Sequence, residues 1–203
     1  MVWRRKEKPA GDIAGAGLTD WWLKSFTREQ HDYIATKFQP MGNPQKRCLV
    51  EGTPHRQDAG KLLLGLSSWF RGPKDRYLER ILLEETIRRT DPTAFERHLA
   101  YGAMMVNWYR DRDRDPAALD TALAYARNQI AMSKPAATDL RRDGSGKLPS
   151  HQGYEQLAVV AEKQKDYVGA IRIAQQAKRE GWTGDWDKRI ERCTSRLEKT
   201  REQ

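Results

Sequence analysis

From residue 59 onward, apolar side chains recur at intervals of three and four, in short runs that end at proline or glycine. That spacing puts side chains on one face of an α-helix, whereas the strict alternation of a half-buried strand is essentially missing. The breaks are specific: Arg71-Gly72-Pro73, Asp91-Pro92, Asp115-Pro116 and the Gly181-Trp182-Thr183-Gly184 turn. Proline suits the first turn of a helix and damages its interior, so each break ends one helix and starts the next. The pattern predicts helices over 59–70 and 74–89, the second with Tyr77, Ile81 and Leu82 inward. A third starts at Asp91-Pro92 and carries Phe95, Leu99, Met105 and Tyr109. A fourth starts at Asp115-Pro116 and carries Leu119, Ala122, Leu123, Ala126 and Ile130. A loop is expected over 134–149, followed by helices over about 150–164, 167–180 and 186–199. The last has a narrow stripe of Trp186, Ile190, Cys193 and Leu197 and charged residues elsewhere, as expected of an element covering the end of a stack.

Upstream, residues 9–18 read as a flexible lead-in rich in Ala and Gly. Trp21, Trp22 and Phe26 are spaced for one helical face. Thr27-Arg28-Glu29-Gln30 is a capping-box pattern that opens a second helix with Tyr33, Ile34 and Phe38 inward. A Pro- and Gly-rich loop then runs to about residue 57, interrupted only by Cys48-Leu49-Val50, which is shorter than an ordinary strand. The expected organisation is a lead-in over 1–18, N-terminal helices and loop over 19–56, and a helical domain over 57–203. The fold class is all-α, built of antiparallel helix hairpins.

The hairpin at 150–181 has the clearest internal register: Tyr154-x-x-Leu157-Ala158-x-x-Ala161, then Tyr167, Ala170-x-x-x-Ala174 and Ala177. Small residues at 158 and 170 let two helices approach closely, and Leu157 and Tyr167 fill seams with neighbours. This register resembles the tetratricopeptide repeat. Weaker echoes of its offsets stand at Leu64-Gly65 with Tyr77 and Ile81, and at Met105-Val106 with Ala118 and Ala122. These units are spaced more widely than the family period of about 34 residues. A non-repetitive helical bundle with one such hairpin is the alternative.

The resemblance implies a short solenoid with an N-terminal helical extension, whose inner surface holds a peptide or protein segment. The matching inward positions are Gln152, Glu155, Val159, Glu162 and Lys163. One subset of the family clamps a C-terminal carboxylate with Lys and Asn. Glu155 and Val159 stand where such a clamp needs those residues, so that specificity is not carried over. The corresponding positions of the first hairpin, Leu62, Leu66, Trp69 and Phe70, are apolar. They read as core covered by the helices of Trp21 and Trp22. Otherwise Trp21, Trp22, Trp69 and Phe70 form an apolar patch for a partner or a second copy.

Charge bears on the partner. The 203 residues carry 37 Lys and Arg against 28 Asp and Glu, a net +9. The excess is spread over every segment, and the densest run, Arg110 to Asp115, alternates in sign. Such alternation marks a solvated, self-paired surface more than a phosphate track. The one tight cluster, Arg4-Arg5-Lys6, lies in a terminus expected to fray. The charge therefore reads first as solubility with a mild preference for acidic partners, and second as a sign of nucleic acid.

Catalytic and cofactor patterns fail residue by residue. Gly15-Ala16-Gly17 lacks the third glycine of a dinucleotide fingerprint, since Asp20 stands there, and Gly144-Ser145-Gly146-Lys147 has Arg141 and Leu148 where a phosphate loop needs Gly and Ser or Thr. His31, His55, His98 and His151 lack the close spacing of a helical zinc motif, and read as surface or capping residues. Glu84-Glu85 and the acids of 111–115 sit in charge-mixed contexts, with no sign of a cleft that raises one pKa. Cys48 and Cys193 read as two free thiols in a reducing compartment. No apolar stretch follows the basic start, and the longest, 99–106, is far below the roughly 20 residues of a membrane span. The expectation is a cytoplasmic, non-enzymatic adaptor without cofactor or metal.

Overall fold

Helices α1 (Gly11–Gly15), α2 (Thr19–Ser25), α3 (Arg28–Lys37), α4 (Ala59–Ser67) and α5 (Arg76–Arg88) make up the first of two compact units, which ends at Pro92. The second, from Thr93, holds α6 (Ala94–Tyr109), α7 (Ala118–Ala131), α8 (Ser133–Arg142), α9 (Gln152–Lys163), α10 (Tyr167–Glu180) and α11 (Trp186–Arg201). These elements come from a computed structural model that describes residues 8–40, 47–54, 56–144 and 146–201. The Arg4-Arg5-Lys6 cluster, His55 and Ser145 lie outside the described residues. The only extended pairing among the described residues joins β1 (Leu148–Ser150) to β2 (Trp182–Thr183) in parallel. The fold is all-α.

In the first unit the expected flexible lead-in is structured. Ile13 and Leu18 are fully buried in the core. The amides of Asp12 and Ile13 donate to the carbonyls of Cys48 and Leu49, both at 3.0 Å, and Ala10 donates to Val50 at 2.9 Å. Cys48-Leu49-Val50 thus forms a turn that caps α1, supplying acceptors for amides that a helix leaves unpaired at its start. Gly11 makes this possible. Its φ is +57°, and a Cβ there would stand 2.2 Å from the Cys48 carbonyl oxygen.

One core gathers Trp22, Phe26, Ile34 and Phe38 with Leu62, Leu63, Leu66, Phe70, Leu78 and Leu82. α4 and α5, which follow the expected boundary at 56/57, bury their apolar faces against the N-terminal helices within the compact unit that ends at Pro92. The Thr27 capping box forms as expected: Gln30 N–H donates to Thr27 Oγ1 at 3.3 Å, and Thr27 N–H to Gln30 Oε1 at 2.8 Å. The buried face of α5 is rotated from the expected one. Leu78, Leu82 and Leu83 are inside, while Tyr77 is exposed. Tyr33 also faces outward, and its hydroxyl donates to Asp75 at 3.0 Å beside the Lys37–Asp75 ion pair.

In the second unit α6 packs on α7, α7 on α9, α9 on α10 and α10 on α11. The expected loop over 134–149 is largely α8, which buries Ala136, Ala137 and Leu140. Pro135 lacks an N–H and its ring opposes the carbonyl four residues back, so α7 cannot run straight on and a new helix begins at Ser133. On α6, Leu99 is exposed; His98, Ala100, Gly102, Met104 and Met105 face inward. The hairpin register holds as packing: Tyr154, Ala158, Ala161, Ala170, Ala174 and Ala177 are all buried. At Gly153 a Cβ would stand 2.8 Å from the Ala126 carbonyl, so the α7–α9 approach needs that glycine. Among the described residues no helix is long and apolar enough to cross a membrane.

Candidate functional site

The stripe on α11 decides where its arginines go. Trp186 and Cys193 are buried against α10 and its neighbours, with Ile190 packed beside Trp186. Residues 189, 192 and 196 then fall together on an adjoining face, because positions three and four apart are neighbours on a helix. That face looks toward α9 across a groove of about 270 Å³ lined by Val159, Glu162, Lys163, Arg189, Arg192 and Arg196. The turn that brings α10 back is set locally: Lys165 takes a φ of 62°, and Asp166 caps α10 by accepting the Gly169 amide at 2.8 Å.

Glu162 is the carboxylate on which the row converges. Arg192 donates to it twice, from Nε at 3.1 Å and from Nη2 at 3.0 Å, and Arg189 donates through Nη1. The Arg196 guanidinium stays 3.8 Å away, an ion pair too long for a hydrogen bond. Burial pushes the Glu162 carboxyl up, but the Arg192 hydrogen bond and the charges of all three arginines outweigh it and hold it below the usual range. Lys163 makes no ion pair among the described residues. The groove therefore holds four cations against one carboxylate. Near it, half-buried Glu155 is pushed up by burial, opposed by Arg189 and reinforced by Asp185.

Three of the five inward positions, Val159, Glu162 and Lys163, line this groove, while Gln152 and Glu155 lie on α9 outside its lining. Sequence reasoning missed the arginines, having taken the polar faces of α11 only as a solvated cap. Their spacing of three and four beside the apolar stripe was the available signal.

The four aromatic residues of the expected patch do not come together on the surface. Trp22 and Phe70 are core; Trp21 is half-buried with its ring 5.4 Å from Phe26; Trp69 is exposed with its ring 5.7 Å from Phe38. Leu62 and Leu66 are core as well.

The histidines also depart from expectation. His31 is half-buried, stacked on Trp22, with Nε2 2.9 Å from the Trp22 carbonyl. His151 does cap α9, its Nδ1 accepting the Tyr154 amide at 3.2 Å, but it is fully buried. His98 is buried too, stacked on Trp182 with ring centroids 5.2 Å apart, while His151 stands edge-on to both. Burial pushes His98 down to about 4; burial and the neighbouring His98 push His151 down to about 3. Cys48 and Cys193 are free and buried, and burial raises both thiols. Among the described residues no group of three or more His, Cys, Asp or Glu side chains is placed to hold a metal ion.

No protein family, curated protein or solved structure was found to match the chain.

Proposed function

We propose that the chain is a non-enzymatic adaptor whose α9–α11 groove holds a segment of another protein. The observation that carries this reading is that Val159, Glu162 and Lys163 line the groove together with the α11 arginines. These α9 positions are inward ones in the tetratricopeptide register, and α11 packs on α10 beside them. Packing of α9 on α10 and of α10 on α11 supports the same register, as does the alanine seam between α9 and α10. A groove that exposes cations around one apolar residue suits an extended peptide, gripped by its charged side chains and seated on Val159.

A photo-crosslinking amino acid placed at Val159, or at the exposed Val168 on α10, tests the reading in the source cell. Discrete protein adducts from position 159 and none from 168 are expected. Equal labelling from both positions, or none from either, overturns it.

The second reading, association with nucleic acid, is favoured by the Arg189-Arg192-Arg196 row. It requires affinity that falls linearly with the logarithm of salt, at a slope of about −0.9 per phosphate neutralised on duplex DNA.

A further inference from the structure

We propose that the groove between α9 and α11 takes an acidic segment of the partner, one of whose carboxylates replaces Glu162 on Arg192 and Arg196 while another pairs with Lys163. This rests on the adaptor reading and names the chemistry of what it binds.

Donor capacity is the first argument. Each guanidinium carries five N–H donors, whereas a carboxylate offers two oxygens with about four lone-pair sites. Three arginines therefore bring far more donors than Glu162 accepts. The unused capacity lies on the solvent side, because Arg192 and Arg196 are 40% and 48% exposed, against 14% for Arg189. Arg196 makes no hydrogen bond to Glu162, and its guanidinium is held 6.0 Å from the Tyr167 ring, presented to the groove without being used up.

Charge placement is the second. A nucleic-acid backbone needs cations repeated along a track, one per phosphate. Here the cations span only Arg189 to Arg196 on α11 and a single lysine on α9, and Glu155 and Asp185 sit within electrostatic reach of the first arginine or of each other. A compact basic patch bordered by carboxylates fits a few acidic side chains on a peptide and repels a continuing polyanion. Val159, the apolar member of the lining, gives the methylene stems of those side chains a contact.

Glu162 then has a definite part. In the unbound protein it offsets the repulsion among three guanidinium groups and fixes Arg192 in a two-pronged geometry suited to carboxylate. An incoming carboxylate starts on the spare donors of Arg196 and competes with Glu162 for Arg192, so Glu162 acts as a resident competitor that keeps affinity moderate and salt-sensitive.

The test is fluorescence anisotropy of short labelled peptides (glutamate-rich, neutral and lysine-rich) and of a DNA duplex, each titrated with the full chain. The glutamate-rich peptide is expected to bind best and to weaken with added salt. Arg192→Ala with Arg196→Ala should weaken it by about tenfold or more, and Glu162→Gln should tighten it by about tenfold. Arg196→Ala alone, which keeps the Arg189 and Arg192 pairs, should weaken it by about threefold, so a fold disturbed by losing Glu162 does not hide the result. Glu162→Gln weakening the peptide as the arginine variants do, in a protein that keeps its helix content, overturns the competitor role. Preference for the neutral or lysine-rich peptide, lost on Val159→Asp, overturns the acidic assignment and leaves the adaptor reading standing. Preference for the duplex overturns both, and so does failure of every peptide to bind.

Discussion

At the residue scale the most consequential feature is the buried pair His98 and His151 beside Trp182. Gln129 Oε1 accepts the Gly153 amide at 2.7 Å, which turns its Nε2 toward His98 Nε2 at 3.3 Å. His98 Nε2 is then the acceptor and its proton sits on Nδ1; His151 accepts through Nδ1, so its proton sits on Nε2. Neither Nδ1 of His98 nor Nε2 of His151 has a hydrogen-bond partner, and protonation of either ring would place a charge in a site cut off from water, a cost that nearby backbone acceptors offset only in part. Both histidines are consequently held neutral, with folded values of about 4 and about 3 against an ordinary 6.5. Above pH 6.5 the folded and unfolded chains bind the same protons at these sites. Below it the unfolded chain takes up protons that the folded one refuses, so stability falls with pH until the folded values are reached. Two such groups should cost about 4 kcal/mol between roughly pH 7.5 and 5. Urea denaturation across that range checks this. His98→Leu should halve the pH slope whatever it does to stability at neutral pH, and an unchanged slope would show that the pair is not the cause.

At the scale of the element, what could be read in advance was whatever depends on neighbours in sequence. Thr27-Arg28-Glu29-Gln30 forms its capping box because both reciprocal bonds need only residues three apart. Thr93 and Glu96 make the same box on α6, directly after the Asp91-Pro92 break: Glu96 N–H donates to Thr93 Oγ1 at 3.1 Å and Thr93 N–H to Glu96 Oε2 at 2.8 Å. Thr93→Ala should therefore cost about 1 kcal/mol and Thr93→Ser much less. Equilibrium unfolding at neutral pH measures the difference, and equal stability of the three proteins would count against the cap. What depended on distant partners was not legible. Leu99 and Tyr77 carry apolar side chains at helical spacing, yet both point outward, because α6 turns His98 and Gly102 toward Gln129 and α5 turns Leu78 toward the N-terminal core. The candidate groove was half legible for the same reason. Local helical spacing is enough to put Val159, Glu162 and Lys163 on one face of α9, whereas the arginines join the groove lining only once α11 folds back beside it.

For the whole molecule, the division at 92/93 changes what the composition meant. The net +9 is shared between both units, so bulk charge singles out neither. What distinguishes the second unit is arrangement: it alone holds the arginine-lined groove and the buried histidine pair. The first unit has its own core, in which α4 and α5 close over Trp22 and Phe26. It has no depressed buried histidine among its described residues, and its one lowered carboxylate, Glu29, is on the surface at the start of α3. Lys37 is raised by its hydrogen bond to Asp75, and stability from a raised lysine is present below its ordinary pKa and lost only as pH climbs through the folded one. Mild acid should therefore open the second unit first. Hydrogen exchange at about pH 7 and 5, corrected for the intrinsic pH dependence of the amide rate, reads this directly. Protection of α6, α7 and α9 should drop by about two to three orders of magnitude, since each 1.4 kcal/mol is about a tenfold change, while α3, α4 and α5 keep theirs. Loss of protection in both units at one common pH would mean that the chain unfolds as a single body, and that the acid sensitivity does not belong to His98 and His151 alone.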